Sequence, residues 1–536
     1  MIVFWNLFSF YSSKIPSKII SFIFSKHKEY LLILTATIFS IIPKGKTMSL
    51  QKKLSVLFFM IVPFIVTAQE QLKFDDYFID KTMRVDYFHI GNAGTEILTI
   101  DHIYQYGIWA GCRKYLLDNF NNGAYYYKIY DAASGKLIYS KGFDSYFKEY
   151  QVSGFEDLRT YHESAIIPFP KNKIKFALDK RDSENKLKEI FSTEIDPANI
   201  GIIKDLVKDD EVNVYKPVYN GDPHTKVDIV ILGEGYTLDE ENKFKKDIDK
   251  FTNSFFKYET YKSMKNDFNI YGVLKPSEES GVDEPSAGIY KNTSLSATFN
   301  SLGSERYMLT EDNKAVHDIA AHVPYDAIYI MSNHARYGGG GIYNFFCTFT
   351  TDNQFNEYLF VHEFGHSFTG LSDEYYTSAT AYDNFYTTKL EPVEPNVTAL
   401  HDANNIKWKE FVKEGTEIPT PWEKEVYDKM DYAWQKQRTE MNIRTNELKR
   451  TGAPKEEIKK AENDYAKADK EHSDKMAEYL NSSKYKGAVG AFEGAGYTPK
   501  GLYRPMLDCI MFTKSCDVFC KVCENAIVKV IKHYLE

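Results

Sequence analysis

Residues 362–374 read His-Glu-Phe-Gly-His-Ser-Phe-Thr-Gly-Leu-Ser-Asp-Glu, and no other stretch of the 536-residue chain limits its folding options as strongly. Histidines four apart share one face of a helix, so His362 and His366 can hold one metal ion together. Glu363 stands beside them, placed to take a proton from a metal-bound water. The run Phe355–Val361 carries apolar residues at helical spacing, which predicts a largely buried helix. Gly370 supplies the positive φ that ends such a helix, and a chain reversed there brings Asp373 or Glu374 back towards the histidines. A core helix that carries two histidines by chance is the plain alternative. The glycine turn and the acidic pair argue against it.

Zinc hydrolases need three protein ligands and one open coordination position. The spacing favours one catalytic Zn2+ on His362, His366 and Asp373, with Glu363 as general base. Glu374 is the alternative third ligand; otherwise it steadies a ligand or an arginine from behind. His317, His322, His334 and His401 have no ligand spacing and are expected at the surface or in the core.

The first 68 residues read as a leader rather than as fold. Met48 opens a segment with Lys52 and Lys53, an apolar stretch over Leu54–Val66 and a cut after Ala68, so translation is expected to start at Met48 and the product to be exported: periplasmic, cell-surface or extracellular. The apolar stretch is short for a membrane span, and no later segment is apolar enough to cross one, so the mature chain is expected to carry no transmembrane anchor. Residues 1–68 hold eight lysines and one glutamate, so the net charge falls from −9 for the whole chain to −16 without them. That balance argues against a nucleic-acid partner, whose phosphates demand a basic surface.

Six cysteines remain open between metal, disulfide and free thiol. Four of them, Cys509, Cys516, Cys520 and Cys523, cluster in ligand-like spacing, although an exported protein favours disulfides or buried thiols.

The chain divides into a β-like half and a mixed half. Met83–Ile90, Tyr125–Tyr130 and Lys173–Leu178 are short strand-like runs, which predicts an all-β N-terminal domain over 69–210. Residues 211–536 alternate strands and helices, as in an α/β or α+β domain. There Val227–Leu232 is a buried strand, followed by a tight turn at Gly233–Tyr236 and a helix from Leu238; Asp267–Leu274 and Tyr325–Met331 are further strands. The run at Gly338, Gly339 and Gly340 lets backbone approach closely, as a sheet edge receiving a substrate peptide would require, or is a flexible loop. About 421–486 the composition turns highly charged and helical, with a turn at 451–454 and a three-four apolar seam through Ile458, Tyr465, His472 and Met476: an inserted helical hairpin.

The stretch 362–375, with Val227–Tyr236, the Tyr337-Gly-Gly-Gly run, Gly501–Pro505 and Cys509-Ile-Met511, resembles the peptidase M64 (IgA peptidase) family. Met83–Tyr87 resembles the β-domain that precedes the catalytic domain in many bacterial members. The resemblance implies a metzincin-like zinc endopeptidase acting on a protein or peptide substrate, with Met511 as the methionine turn under the metal. In typical metzincins the glycine falls three residues after the second histidine; here it falls four after, at Gly370. Tyr503 and Arg504 lead towards Met511, which makes Tyr503 a candidate oxyanion donor and packing its alternative role. A zinc amidase or deacetylase acting on glycans or cell wall, and a non-catalytic binding protein on a peptidase fold, are the competing functions. Neither the substrate nor the oligomeric state is legible.

Overall fold

The computed structural model describes residues 72–204, 209–377 and 388–535. The expected leader, with its start at Met48 and cut after Ala68, lies outside them. Among the described residues no helix is long and apolar enough to cross a membrane.

The N-terminal region is built of strands. β1 (Phe78–Gly91), β2 (Glu96–Tyr106), β5 (Arg159–Pro170) and the short β8 (Ile203–Lys204) form one sheet in the order β5-β1-β2-β8. β3 (Tyr125–Asp131), β4 (Leu137–Phe143), β6 (Ile174–Arg181) and β7 (Leu187–Ile195) form a second in the order β4-β3-β6-β7. Alternate residues point inwards: Met83, Val85 and Tyr87 from one sheet meet Tyr127, Ile129 and Phe176 from the other in one core, which makes a sandwich.

The later region is a mixed α/β layer. Its six-stranded sheet runs β13-β14-β12-β10-β11-β9, from β9 (Asn213–Val218), β10 (Val227–Glu234), β11 (Phe268–Leu274), β12 (Ala327–Ser332), β13 (Gly339–Ile342) and β14 (Phe346–Thr350). The four central strands are parallel and both edges antiparallel. β10 is an unbroken apolar run because it is covered on both faces. Ile229 and Ile231 face α1 (Glu241–Phe255), while Val230 and Leu232 face α2 (Asn313–Ala320). A capping box at Thr237 and Glu240 starts the turn into α1. Tyr146, Phe147 and Tyr161 of the N-terminal region pack into the same core as Val230 and Leu232, so the two regions share buried surface.

α3 (Asn356–Thr369) lies on the α1 face of the sheet and is buried on nearly every side. α4 (Lys424–Arg450) and α5 (Lys455–Ser482) are joined by a short turn and pack antiparallel, with Trp434 stacked on His472 at 5.1 Å. Tyr427, Met476 and Leu480 plant the pair on the main core. β15 (Val489–Ala495) and β16 (Thr498–Met506) form a two-stranded hairpin, and α6 (Lys521–Leu535) closes the described chain.

Candidate metal centre and cleft

α3 ends at Gly370, whose φ of 66° and ψ of 38° suit glycine. Its N–H donates to the His366 carbonyl at 2.8 Å, and the Leu371 N–H donates to the Gly365 carbonyl at 3.1 Å. The reversed chain orients His366, while the distant Met511 turn orients His362. His366 Nδ1 is 2.6 Å from the Leu371 carbonyl oxygen, and His362 Nδ1 is 3.0 Å from that of Ile510. A carbonyl only accepts, so each Nδ1 carries the proton and each Nε2 offers its lone pair.

Those lone pairs converge with Asp373. His362 Nε2 is 3.1 Å from Asp373 Oδ1, His366 Nε2 is 3.2 Å from it, and the two Nε2 atoms are 3.2 Å apart. Ligand atoms of a tetrahedral zinc with bonds of about 2.0–2.1 Å stand about 3.3 Å from one another, so the triangle has the size that zinc requires. Burial opposes charge on Asp373, whereas the imidazoles in their protonated form would hold its carboxyl far below the usual carboxylate range. Its second oxygen accepts a hydrogen bond from the Tyr497 hydroxyl, which leaves Oδ1 to the histidines.

Glu363 is buried on the same helix, with its carboxyl beside the glycine strand β13. Desolvation pushes that carboxyl above its ordinary value, and the positive charge of protonated His362 or His366 would oppose the push. Gly339 and Gly341 leave room for α3, which passes close by. A Cβ on Gly341 would stand 2.4 Å from the Glu363 carbonyl oxygen, and one on Gly339 3.2 Å from Glu363 Oε1. Gly340 faces Tyr307 and Gly338 faces Phe299 in the same way. Gly339 and Gly340 line the cleft. At Gly339 the outer edge meets the chain's own Tyr307–Met308 through a single bridge.

Met511 lies beneath α3: a Cβ on Gly365 would be 2.9 Å from its sulfur, so glycine in the motif and methionine in the turn fit each other. The Met511 carbonyl accepts from the Glu374 N–H at 2.8 Å, which ties this turn to the ligand loop.

Glu374 does not reach the histidines. Its side chain points away, towards Asn396, Cys520 and Cys523, so the alternative third ligand is Asp373's neighbour in sequence only. Tyr503 is also displaced from its expected place. It is held on β16 through backbone bonds to Thr398, and it is absent from the cleft lining. Successive strand residues face opposite ways, and Arg504 is the one that turns inwards, donating to the Gly494 and Leu507 carbonyls and stacking on Phe512. The tyrosines that reach this triad are instead Tyr358, whose hydroxyl is 3.0 Å from His362 Nδ1, and Tyr497, which donates to Asp373 from the β15–β16 tip with a φ of 59°. Small residues on both sides mark that tip as a turn, but no spacing ties it to Asp373. Sequence reasoning also missed one wall of the cleft, formed by Asp431, Trp434 and Arg438 of α4 with His472 and Met476 of α5.

The family model for IgA Peptidase M64 matches residues 217–531. The chain belongs to the M64 peptidase family. A second family model, Peptidase M64 N-terminus, matches residues 73–192, so the strand-rich region and the α/β region together form the two-part M64 architecture. A search of curated proteins found no match. Membership makes the chain a peptidase of a metallopeptidase family, with protein as its substrate class.

Proposed function

We propose that this M64 member is an exported zinc endopeptidase with a metzincin-like site, cleaving internal peptide bonds by Glu363-assisted attack of water. The observation that carries the reading is the triangle of His362 Nε2, His366 Nε2 and Asp373 Oδ1, with edges of 3.1–3.2 Å, its two histidines on the same helix as a buried glutamate. These three side chains would hold the ion, and zinc bound there supplies Lewis acidity to the scissile carbonyl and lowers the pKa of the attacking water.

The remaining work falls to side chains. Glu363 accepts the water's proton and returns it to the leaving amine. The Ile510 and Leu371 carbonyls keep both imidazoles in the Nδ1–H form, and Tyr497 holds the Asp373 carboxylate in one rotamer. Met511 supports the helix from below. Tyr497 replaces Tyr503 as the phenol close enough to act on a developing oxyanion once its hydrogen bond to Asp373 is exchanged.

The test is digestion of unfolded protein by the full chain, with fragments read by mass spectrometry. Internal cleavage should stop with a chelator and return with zinc. Glu363→Gln should keep its metal and lose at least about 10²-fold in turnover. Cleavage undiminished in Glu363→Gln would remove the proposed base, and hydrolysis of glycan or cell-wall amides alone would replace the peptidase reading with the amidase one.

A further inference from the structure

Three of the four C-terminal cysteines and Glu374 meet in a second buried cluster. The donor atoms of Cys509, Cys520, Cys523 and Glu374 all lie within 4.8 Å of one another, and all four residues are buried. Cys523 Sγ is 3.2 Å and Cys520 Sγ 3.7 Å from Glu374 Oε1. The fourth cysteine of the sequence cluster, Cys516, turns away to the Val518 carbonyl, and the glutamate takes its place.

Backbone donors meet two of the three sulfurs. The Cys520 N–H donates to Cys509 Sγ at 3.1 Å and the Cys523 N–H to Cys520 Sγ at 3.4 Å. Backbone donors of this kind favour thiolates. Cys520 stands immediately before α6 and Cys523 in its first turn, where the helix dipole adds positive potential.

No cation among the described residues touches the cluster, although the buried Arg504 attracts the Glu374 carboxyl through space. Glu374 is fully buried, its Oε2 atom has no hydrogen-bond partner, and among the described residues no lysine or arginine forms an ion pair with it. A buried carboxylate without a contacting counter-charge is costly. A Cys520–Cys523 disulfide would bring no positive charge to Glu374. All three thiols are unbridged here.

We infer that Cys509, Cys520, Cys523 and Glu374 form a second metal site, closed by four protein ligands and suited to zinc. Three soft sulfurs and one carboxylate in a compact set match a tetrahedral borderline-soft cation, and four protein ligands leave no position for substrate. Binding releases the thiol protons to solvent. The site is structural: it clamps the Met511 turn, through Cys509, to the ligand loop, through Glu374, and to the start of α6.

Elemental analysis of the full chain, purified under reducing conditions without chelator, tests this independently of activity. Two zinc ions per chain are expected, falling to one in the His362→Ala/His366→Ala double variant, which leaves the cysteine cluster intact. X-ray absorption of that remaining zinc should show sulfur ligands at about 2.3 Å. Cobalt in its place should give the near-ultraviolet charge-transfer band of thiolate ligation. A double variant without metal, a remaining metal with only nitrogen and oxygen ligands, or a disulfide among these three cysteines in the native protein would overturn the assignment.

Discussion

The side-chain amide of Asn122, in the strand-rich N-terminal region, donates to the Gly370 carbonyl at 3.0 Å and to that of Thr369 at 3.3 Å. The turn that delivers Asp373 is therefore finished by a residue 248 positions earlier. A buried carbonyl left without its donor costs about 1–3 kcal/mol. Asn122→Ala should accordingly lower thermal stability by an amount in that range and speed zinc loss in a chelator competition. Gly370→Ala should do more damage, because a Cβ there would stand 2.2 Å from the Asn122 amide nitrogen at a φ that alanine resists. Equal zinc loss rates for wild type and both variants would dismiss this support.

Asp373 and Glu374 should separate cleanly. Asp373→Ala is expected to empty the histidine site while the metal held by the cysteines remains. Glu374→Gln should leave the histidine-bound zinc in place. The measurement is zinc content of each variant combined with X-ray absorption. Tyr497→Phe should keep both metals and reduce turnover, whereas Tyr503→Phe should change neither.

Arg438 is a buried guanidinium in the cleft wall, and no carboxylate among the described residues pairs with it. Burial lowers its pKa and the nearby positive charge of Arg306 lowers it further, so an anionic group would be welcome there. Substrates with an acidic side chain near the scissile bond should lose about 10- to 100-fold in KM with Arg438→Gln, the value of about 1.5–3 kcal/mol for a charged hydrogen bond, with kcat little changed. Identical losses for acidic and neutral peptides would show that Arg438 only packs.

Acid should loosen the α4–α5 pair. Burial alone would raise the Glu284 carboxyl, but the His334 hydrogen bond and the charges of Lys449 and Arg336 pull it down to about 2 from an ordinary 4.5. A depressed carboxylate stabilises the fold above its ordinary value, and that contribution drains away as pH falls from 4.5 towards about 2. Lys449 belongs to α4, so Glu284→Gln should flatten the acid limb of unfolding and expose this helical pair to proteolysis at neutral pH.

Local pattern made the heart of the site readable. His362, Glu363, His366 and Gly370 lie within nine residues, and their meaning depends only on helical geometry and one left-handed turn. The buried strand at Val227 and the charged helices after residue 421 were equally local. What escaped depends on pairings far apart in sequence. Tyr497 meets Asp373 across 124 positions, and Asn122 meets Gly370 across 248. Tyr503 lost its expected place to the alternation of a strand, which turned Arg504 inwards. The four cysteines looked like one group by spacing, but Cys516 points elsewhere, and only folding brings Glu374 into the set. The glycine strand shows why a flexible-looking run can be rigid: the room its missing side chains leave is taken by α3 at Gly339 and Gly341 and by Phe299 and Tyr307 at Gly338 and Gly340.

The wall of the cleft that carries Trp434 and Arg438 enters and leaves the fold at neighbouring points, since the Tyr479 hydroxyl near its end donates to the Glu423 carbonyl at its beginning. None of the metal ligands and no strand of the central sheet lies between those points. That wall is therefore a segment closed upon itself, and replacing it would alter what one side of the cleft presents without cutting the sheet or the loop that carries Asp373.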